Sequence, residues 1–224
     1  DGVARTYTGP EIGVASTKAF TAQVVTLLLM ALQAGRARGT VSAEQARALL
    51  HDLAGLPAAL DATLEKEERI LALASLYREH RDFFFLGRGV QYPVALEGAL
   101  KLKEIAYVHA EAFPAGEMKH GPLALIDPAK VTFALTPGGP THGKMVSTIE
   151  EVKARDGQVV ALCDERDEVV APLVDHVIHV PATSEYLAPC VMVVPLQLFA
   201  YHMAVLGGRD VDRPRNLAKS VTVE

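Results

Sequence analysis

From residue 83 onward the chain alternates short, continuous apolar runs with longer helical patterns, and this alternation limits the fold more than any other feature. The runs "FFFL" (83–86), "VTFALTP" (131–137), "QVVALC" (158–163) and "HVIHVP" (176–181) have strand length and are apolar at nearly every position. Among them lie the helical stretches "VALEGALKLKEIAYVHAEAF" (94–113), "GKMVSTIEEVKARDG" (143–157) and "APCVMVVPLQLFAYHMAVLGG" (188–208). A strand apolar on both faces belongs to a parallel sheet with helices on each side, since parallel neighbours are joined by crossovers that cover the faces. The expected class is therefore α/β, a parallel sheet sandwiched by helices, with ligands expected at the carboxyl ends of the strands.

The first 80 residues carry no convincing strand. They read as three helices: one from Ser16 to Gln33, one opening at the capping box "SAEQ" (Ser42–Gln45), and one through "EKEERILALASLYREH". The most apolar stretch, "AFTAQVVTLLLMALQAG" (19–35), is interrupted by Thr21, Gln23, Thr26 and Gln33 and falls short of the ~20 apolar residues of a membrane span. A buried helix is expected there. A purely helical bundle and a piece of a larger α/β unit both fit this region.

With 224 residues, 50% hydrophobic and 22% charged, the chain can build one large domain or two small ones. A formal net charge of -5 and the lack of a Lys/Arg cluster exclude a general nucleic-acid binder and leave a small molecule or a protein as partner. Cys163 and Cys190 sit in apolar runs without ligand spacing, as buried reduced thiols do, which points to a cytoplasmic protein. The start "DGVARTYTGPEIG" has neither a basic nor an apolar leader, so no export signal and no membrane association are expected.

Four places carry candidate chemistry. The loop "GRGVQYP" (87–93) leads from a strand into a helix and either approaches an anion or simply makes a tight turn; it lacks the full dinucleotide and P-loop fingerprints. Glu97, Lys101 and Glu104 fall at i, i+4 and i+7, on one helix face. Such a trio is either a solvated ion-pair ladder, at about 0.2–0.5 kcal/mol per pair, or, among Leu96, Leu100, Leu102 and Ile105, a carboxylate base beside an amine. In "AGEMKHGPLALID", His120 stands in a turn made by Gly121 and Pro122, as a surface group or a proton carrier, with no second ligand at metal spacing. His109 reads as a charge at a helix C-terminus. In "EIGVASTKAF" a small-residue loop enters the first helix with Ser16 or Thr17 as N-cap, where a ligand hydroxyl could share the same donors.

Three stretches, "GPEIGVASTKAF" (9–20), "FLGRGVQYPVALEGALKLKEIAYVHAEAFPAGEMKHGPLALID" (85–127) and "DVDRPRNLAKSVTVE" (210–224), together resemble the synthase half of the glutamine:fructose-6-phosphate aminotransferases, or glucosamine-6-phosphate synthases. The resemblance implies sugar-isomerase (SIS) domains of flavodoxin-like α/β type. By it, residues 1–40 are the helical remnant of a first SIS domain, 41–75 linking helices, 76–212 a second SIS domain and 213–224 a catalytic C-terminal tail. It implies that Glu104 moves a proton between C1 and C2 of the sugar, with Lys101 as its proton-transfer partner. His120 opens the sugar ring across a homodimer, and Lys219 engages the open-chain carbonyl with Ala218 beside it. Val14 and Ser16 contact the sugar.

The implied ligands are fructose 6-phosphate and glucosamine 6-phosphate, with ammonia from a glutaminase domain elsewhere in the full-length chain. No cofactor and no metal is implied. The phosphate-gripping loop of the first SIS domain is not among these residues, so the chain by itself is expected to be inactive. The alternative is a binding module that only senses a phosphosugar; it has no need of Lys101, Glu104, His120 and Lys219 together.

Overall fold

The computed structural model describes residues 2–220, so residues 221–224 of the tail lie outside the described residues. Five strands, β1 (Asp82–Gly87), β2 (His109–Pro114), β3 (Val131–Thr136), β4 (Gln158–Asp164) and β5 (His176–Val180), form one wholly parallel sheet in the order β2-β1-β3-β4-β5. That is the flavodoxin-like order of doubly wound sheets. The helices are α1 (Lys18–Ala37), α2 (Ala43–Leu64), α3 (Glu67–Tyr77), α4 (Gln91–Lys101), α5 (His142–Lys153) and α6 (Ala188–Leu206).

Strand alternation sorts the side chains into two cores. Phe83, Phe85, Phe133, Leu135, Val160 and Leu162 meet α3, α4 and α6 on one face. Phe84, Leu86, Ala134, Val159, Ala161 and Cys163 meet α5 on the other. On the first face Phe85 stacks on Phe133 at 5.0 Å between ring centroids, and Phe133 lies 4.7 Å from Phe199 of α6.

Two glycines fix how α4 sits. At Gly87 a Cβ would stand 2.3 Å from the Gln91 carbonyl oxygen, so only glycine lets α4 start directly off β1. At Gly98 a Cβ would stand 2.5 Å from Leu196 Cδ1, so α4 can lie close against α6 only there.

Several expectations change. The stretch 94–113 is not one helix: α4 stops at Lys101, a π-turn covers Leu102–Ala106, Tyr107 turns the chain in left-handed conformation (φ 59°), and β2 follows. His109 therefore opens an edge strand instead of closing a helix, and its Nδ1 lies 2.8 Å from Asp82 Oδ1. The capping box at Ser42 and Gln45 forms as read, with both reciprocal bonds made.

Helix α1 is not buried. Phe20, Val24, Val25 and Leu28 pack against the core, while Leu27 and Met30 are 64% and 54% exposed. One apolar stripe has a partner among the described residues; the other faces of this apolar helix have little. By length and composition both α1 and α6 could cross a membrane, but α6 is the central core helix of the domain. Both cysteines are buried free thiols, and burial pushes Cys163 up to about 12 and Cys190 up to about 11.

Candidate active site

The carboxylate–amine trio forms where α4 loosens into its π-turn. Such turns widen a helix by one residue and favour functional positions. Lys101 is the last residue of α4 and Glu104 the middle of the turn. The Lys101 ammonium lies 2.5 Å from Glu104 Oε2 and 3.4 Å from Glu97 Oε1. Only 3% of the Lys101 side chain is exposed, against 11% for Glu97 and 22% for Glu104. The bland reading, a solvated ladder, therefore fails: this ammonium is out of water and held by carboxylates. Burial pushes the Glu97 carboxyl up; Lys101 opposes that shift, while Glu104 and Glu11 add to it.

Over this pair lie two irregular segments, one from each end of the chain. The N-terminal strap, residues 10–17, is tied to α1 by Glu11, whose carboxylate accepts the Thr17 backbone N–H at 2.8 Å and the Thr17 hydroxyl at 3.3 Å. Thr17 is the N-cap residue but makes no side-chain cap bond, and Ser16 is not the cap either; Glu11 caps the helix from six residues upstream. Burial raises the Glu11 pKa, but the hydrogen bonds from Thr17 and Ala19, with Ser16, outweigh it and hold the carboxyl below its ordinary value. Lys18 Nζ donates to the Pro10 carbonyl at 2.9 Å.

The C-terminal segment closes the other side. The Val14 N–H donates to the Asp212 carbonyl at 3.0 Å, and the Lys219 ammonium donates to the Glu11 carbonyl. The Arg215 N–H donates to the Tyr107 hydroxyl at 2.7 Å, while the Arg215 guanidinium lies 4.4 Å over the Tyr107 ring. The residue that turns the chain after the π-turn thus also anchors the tail.

Strap, C-terminal segment and helices bound a cavity of about 350 Å³ whose wall includes Glu11, Lys18, Lys101, Gln197, Tyr201 and Asp212; Lys101 faces it, while Glu104 is not part of its wall. Gln197 Nε2 is buried without a hydrogen-bond partner among the described residues. Two larger depressions, of about 550 and 970 Å³, run along α1 and α2 on mainly aliphatic walls and reach neither Lys101 nor Glu104.

Of the residues singled out from sequence, the structure brings Lys101 and Glu104 together under the strap carrying Val14 and Ser16 and near the tail carrying Ala218 and Lys219. It does not bring His120 there. His120 ends a 3-10 turn, Ala115–His120, that follows the carboxyl end of β2, whereas Lys101 and Glu104 precede that strand's amino end. A six-residue strand spans about 20 Å. The His120 side chain is 74% exposed, with Glu117 Oε2 4.0 Å away. The charged pair, and the cavity beside Lys101, lie toward the amino ends of the strands and not at the carboxyl ends where a ligand is expected, because Lys101 and Glu104 ride on the far end of α4 and the turn after it. Glu11, Tyr107 and Asp212 lie within the stretches that carry the resemblance but are not singled out there, and Gln197 and Tyr201 lie in no motif at all.

The SIS domain family matches residues 75–207. The chain belongs to the SIS-domain family. Over 218 residues this SIS chain is 56% identical to the glutamine–fructose-6-phosphate aminotransferase (isomerizing) of Thermus thermophilus, a match covering 97% of this chain and 36% of that protein. It is 48% identical to the aminotransferase of the same name from Leifsonia xyli over its whole length, which is 37% of that protein. The chain thus spans about a third of the curated relatives it matches.

Among solved structures, the C-terminal domain of glucosamine-fructose-6-phosphate aminotransferase from Francisella tularensis superposes with a TM-score of 0.86 at 39% identity, over 92% of this chain and 58% of that one. Glucosamine-6-phosphate deaminase from Thermotoga maritima shares the fold, with a TM-score of 0.71 at 23% identity over 95% of this chain and 59% of that one. The resemblance read from three motif stretches extends across nearly the whole chain.

Proposed function

We propose that this chain is the sugar-isomerising part of a glutamine–fructose-6-phosphate aminotransferase, which converts fructose 6-phosphate and glutamine-derived ammonia to glucosamine 6-phosphate. The observation that carries the reading is the buried Lys101–Glu104 pair, covered by a strap and a tail whose Lys219 reaches the Glu11 carbonyl. Isomerisation needs a carboxylate that takes a carbon-bound proton, a proton carrier beside it and a cation near the developing negative charge. Glu104 is the base, moving the proton from C1 to C2. Lys101 is its proton-transfer partner, and Lys219 engages the carbonyl of the open-chain ketose, with Val14, Ser16 and Ala218 against the sugar.

His120, exposed and remote from Glu104, opens the ring in the site of a partner copy, so the working unit is a homodimer. Residues 1–40 end a first SIS domain, 41–75 link it to the second at 76–212, and 213–224 form the tail. The phosphate-gripping loop and the glutaminase domain belong to other parts of the full-length protein, and the chain alone is inactive. Working in the full-length protein, Glu104→Gln and Lys219→Ala each lower synthase turnover by roughly 10²–10⁴-fold, while calorimetry still detects glucosamine 6-phosphate binding. Near-normal turnover in either variant sinks the assignment.

A further inference from the structure

Lys101 has two carboxylate neighbours, and the reaction consumes one of them. When Glu104 takes the proton from C1, the C–H electron pair enters the new C1–C2 double bond and the electrons of the C2 double bond move onto its heteroatom. Glu104 is then a neutral acid until it delivers that proton to C2. During that interval the Lys101 ammonium, 3% exposed, has lost the charge of its 2.5 Å partner. A buried cation without a counter-ion sheds its proton or turns toward water.

Resting on the function proposed above, we infer that Glu97 is a positioning residue: it holds Lys101 charged and aimed while Glu104 carries the substrate's proton. Three observations support this. Glu97 Oε1 lies 3.4 Å from Lys101 Nζ, on the helical turn before it. Among the described residues that buried oxygen has only this 3.4 Å ion pair and no well-aligned hydrogen bond, so it can accept Lys101 more closely when Glu104 lets go. The Glu97 carboxyl is also out of water, which pushes its pKa up and makes its ionisation depend on Lys101 staying charged. The charged and titratable groups facing this pair are Glu104 on the π-turn, Glu11 and Lys18 across the cavity, Asp212 of the tail segment and Tyr201 of α6.

The test uses the full-length protein with fructose 6-phosphate and glutamine, and compares Glu97→Gln, Glu97→Asp and Glu104→Gln. Glu97→Gln keeps shape and removes charge. Its kcat falls roughly tenfold or more with KM within about twofold, and the alkaline limb of its rate profile moves to lower pH because the buried ammonium has lost a counter-charge. Glu97→Asp, which restores the charge, returns the limb toward its original position. If Glu97 were merely structural, Glu97→Gln would lower the thermal midpoint and the active fraction without moving that limb; an unmoved limb, or a wild-type kcat, overturns the inference. Glu104→Gln separates the two levels. Inactive Glu104→Gln beside normal Glu97→Gln defeats this inference alone, whereas active Glu104→Gln defeats the function on which it rests.

Discussion

The amino and carboxyl ends of this sheet handle titratable side chains in opposite ways. At the amino end, Lys101 is withdrawn from solvent between Glu97 and Glu104, and two chain segments fold over it. At the carboxyl end, His120 stands 74% exposed on a short turn with only the exposed Glu117, 4.0 Å away, beside it among the described residues, while the better-held groups there serve the backbone. His142 Nε2 lies 2.5 Å from Asp167 Oδ2, and the Asp167 carboxylate also accepts the Val169 and Val170 N–H groups. Desolvation with ion pairing is the condition under which a side chain's proton affinity and direction can be tuned. The amino end meets it within one chain; His120 meets it only against another surface.

The contrast between the two ends turns first on whose site His120 serves. Full-length proteins carrying Glu104→Gln or His120→Ala alone are inactive in the proposed scheme. Random re-pairing makes half the dimers mixed, and in each mixed dimer one site keeps both Glu104 of its own chain and His120 of the other, so about a quarter of wild-type activity returns. Activity measured after mixing, unfolding to monomers and refolding checks this. No recovery would place His120 in the site of its own chain, or in no site.

Much of this contrast was legible in the sequence, and the gaps have physical causes. Four strands announced themselves as continuous apolar runs because the sheet buries both of their faces. β2 did not: it is an edge strand with His109 and Glu111 exposed and Ala110 and Ala112 buried, and its alanines and glutamate suit a helix equally well. Its boundary is set by Tyr107 in left-handed conformation, where no glycine or proline gives warning.

The spacing of Glu97, Lys101 and Glu104 was readable because helical periodicity sets it. Their burial was not, since it comes from segments about 90 residues before and 110 after. The exposure of α1 was equally hidden, because apolar composition says what a face needs and not whether a partner is there.

At the carboxyl end, Asp167 gives a smaller effect. Burial acts to raise the Asp167 pKa, but its bonds to the Val170 N–H, His142 and the Val169 N–H outweigh this and hold the carboxyl below the ordinary range. A depressed carboxyl contributes stability that is fully present above its unfolded value and is lost as pH falls through the folded value. Asp167→Asn is therefore expected to cost about 2 kcal/mol at neutral pH, with the gap to the parent closing as the buffer is acidified. Thermal midpoints measured from pH 7 downward check this, and synthase activity at pH 7 should be unchanged. A pH-independent gap would mean that packing, and not the ionised carboxylate, is what Asp167 supplies.

The smallest effect separates two roles of one residue in the strap. Glu11 caps α1 through its carboxylate but receives Lys219 through its carbonyl, and a side-chain substitution removes only the first. Glu11→Ala should cost about 1 kcal/mol, as other helix caps do. Ser42→Ala at the start of α2 should cost about as much, since it too loses an acceptor for a helix N-terminal N–H. The two variants differ in where the loss falls: amide exchange should quicken in the first turn of α1 for one and of α2 for the other. Because the carbonyl of residue 11 survives, Glu11→Ala should leave protection of the Val14 N–H nearly intact through its bond to Asp212. Loss of protection at both places would show that the carboxylate holds the whole strap over Lys101, which would make the cover at the amino end of the sheet depend on a single side chain.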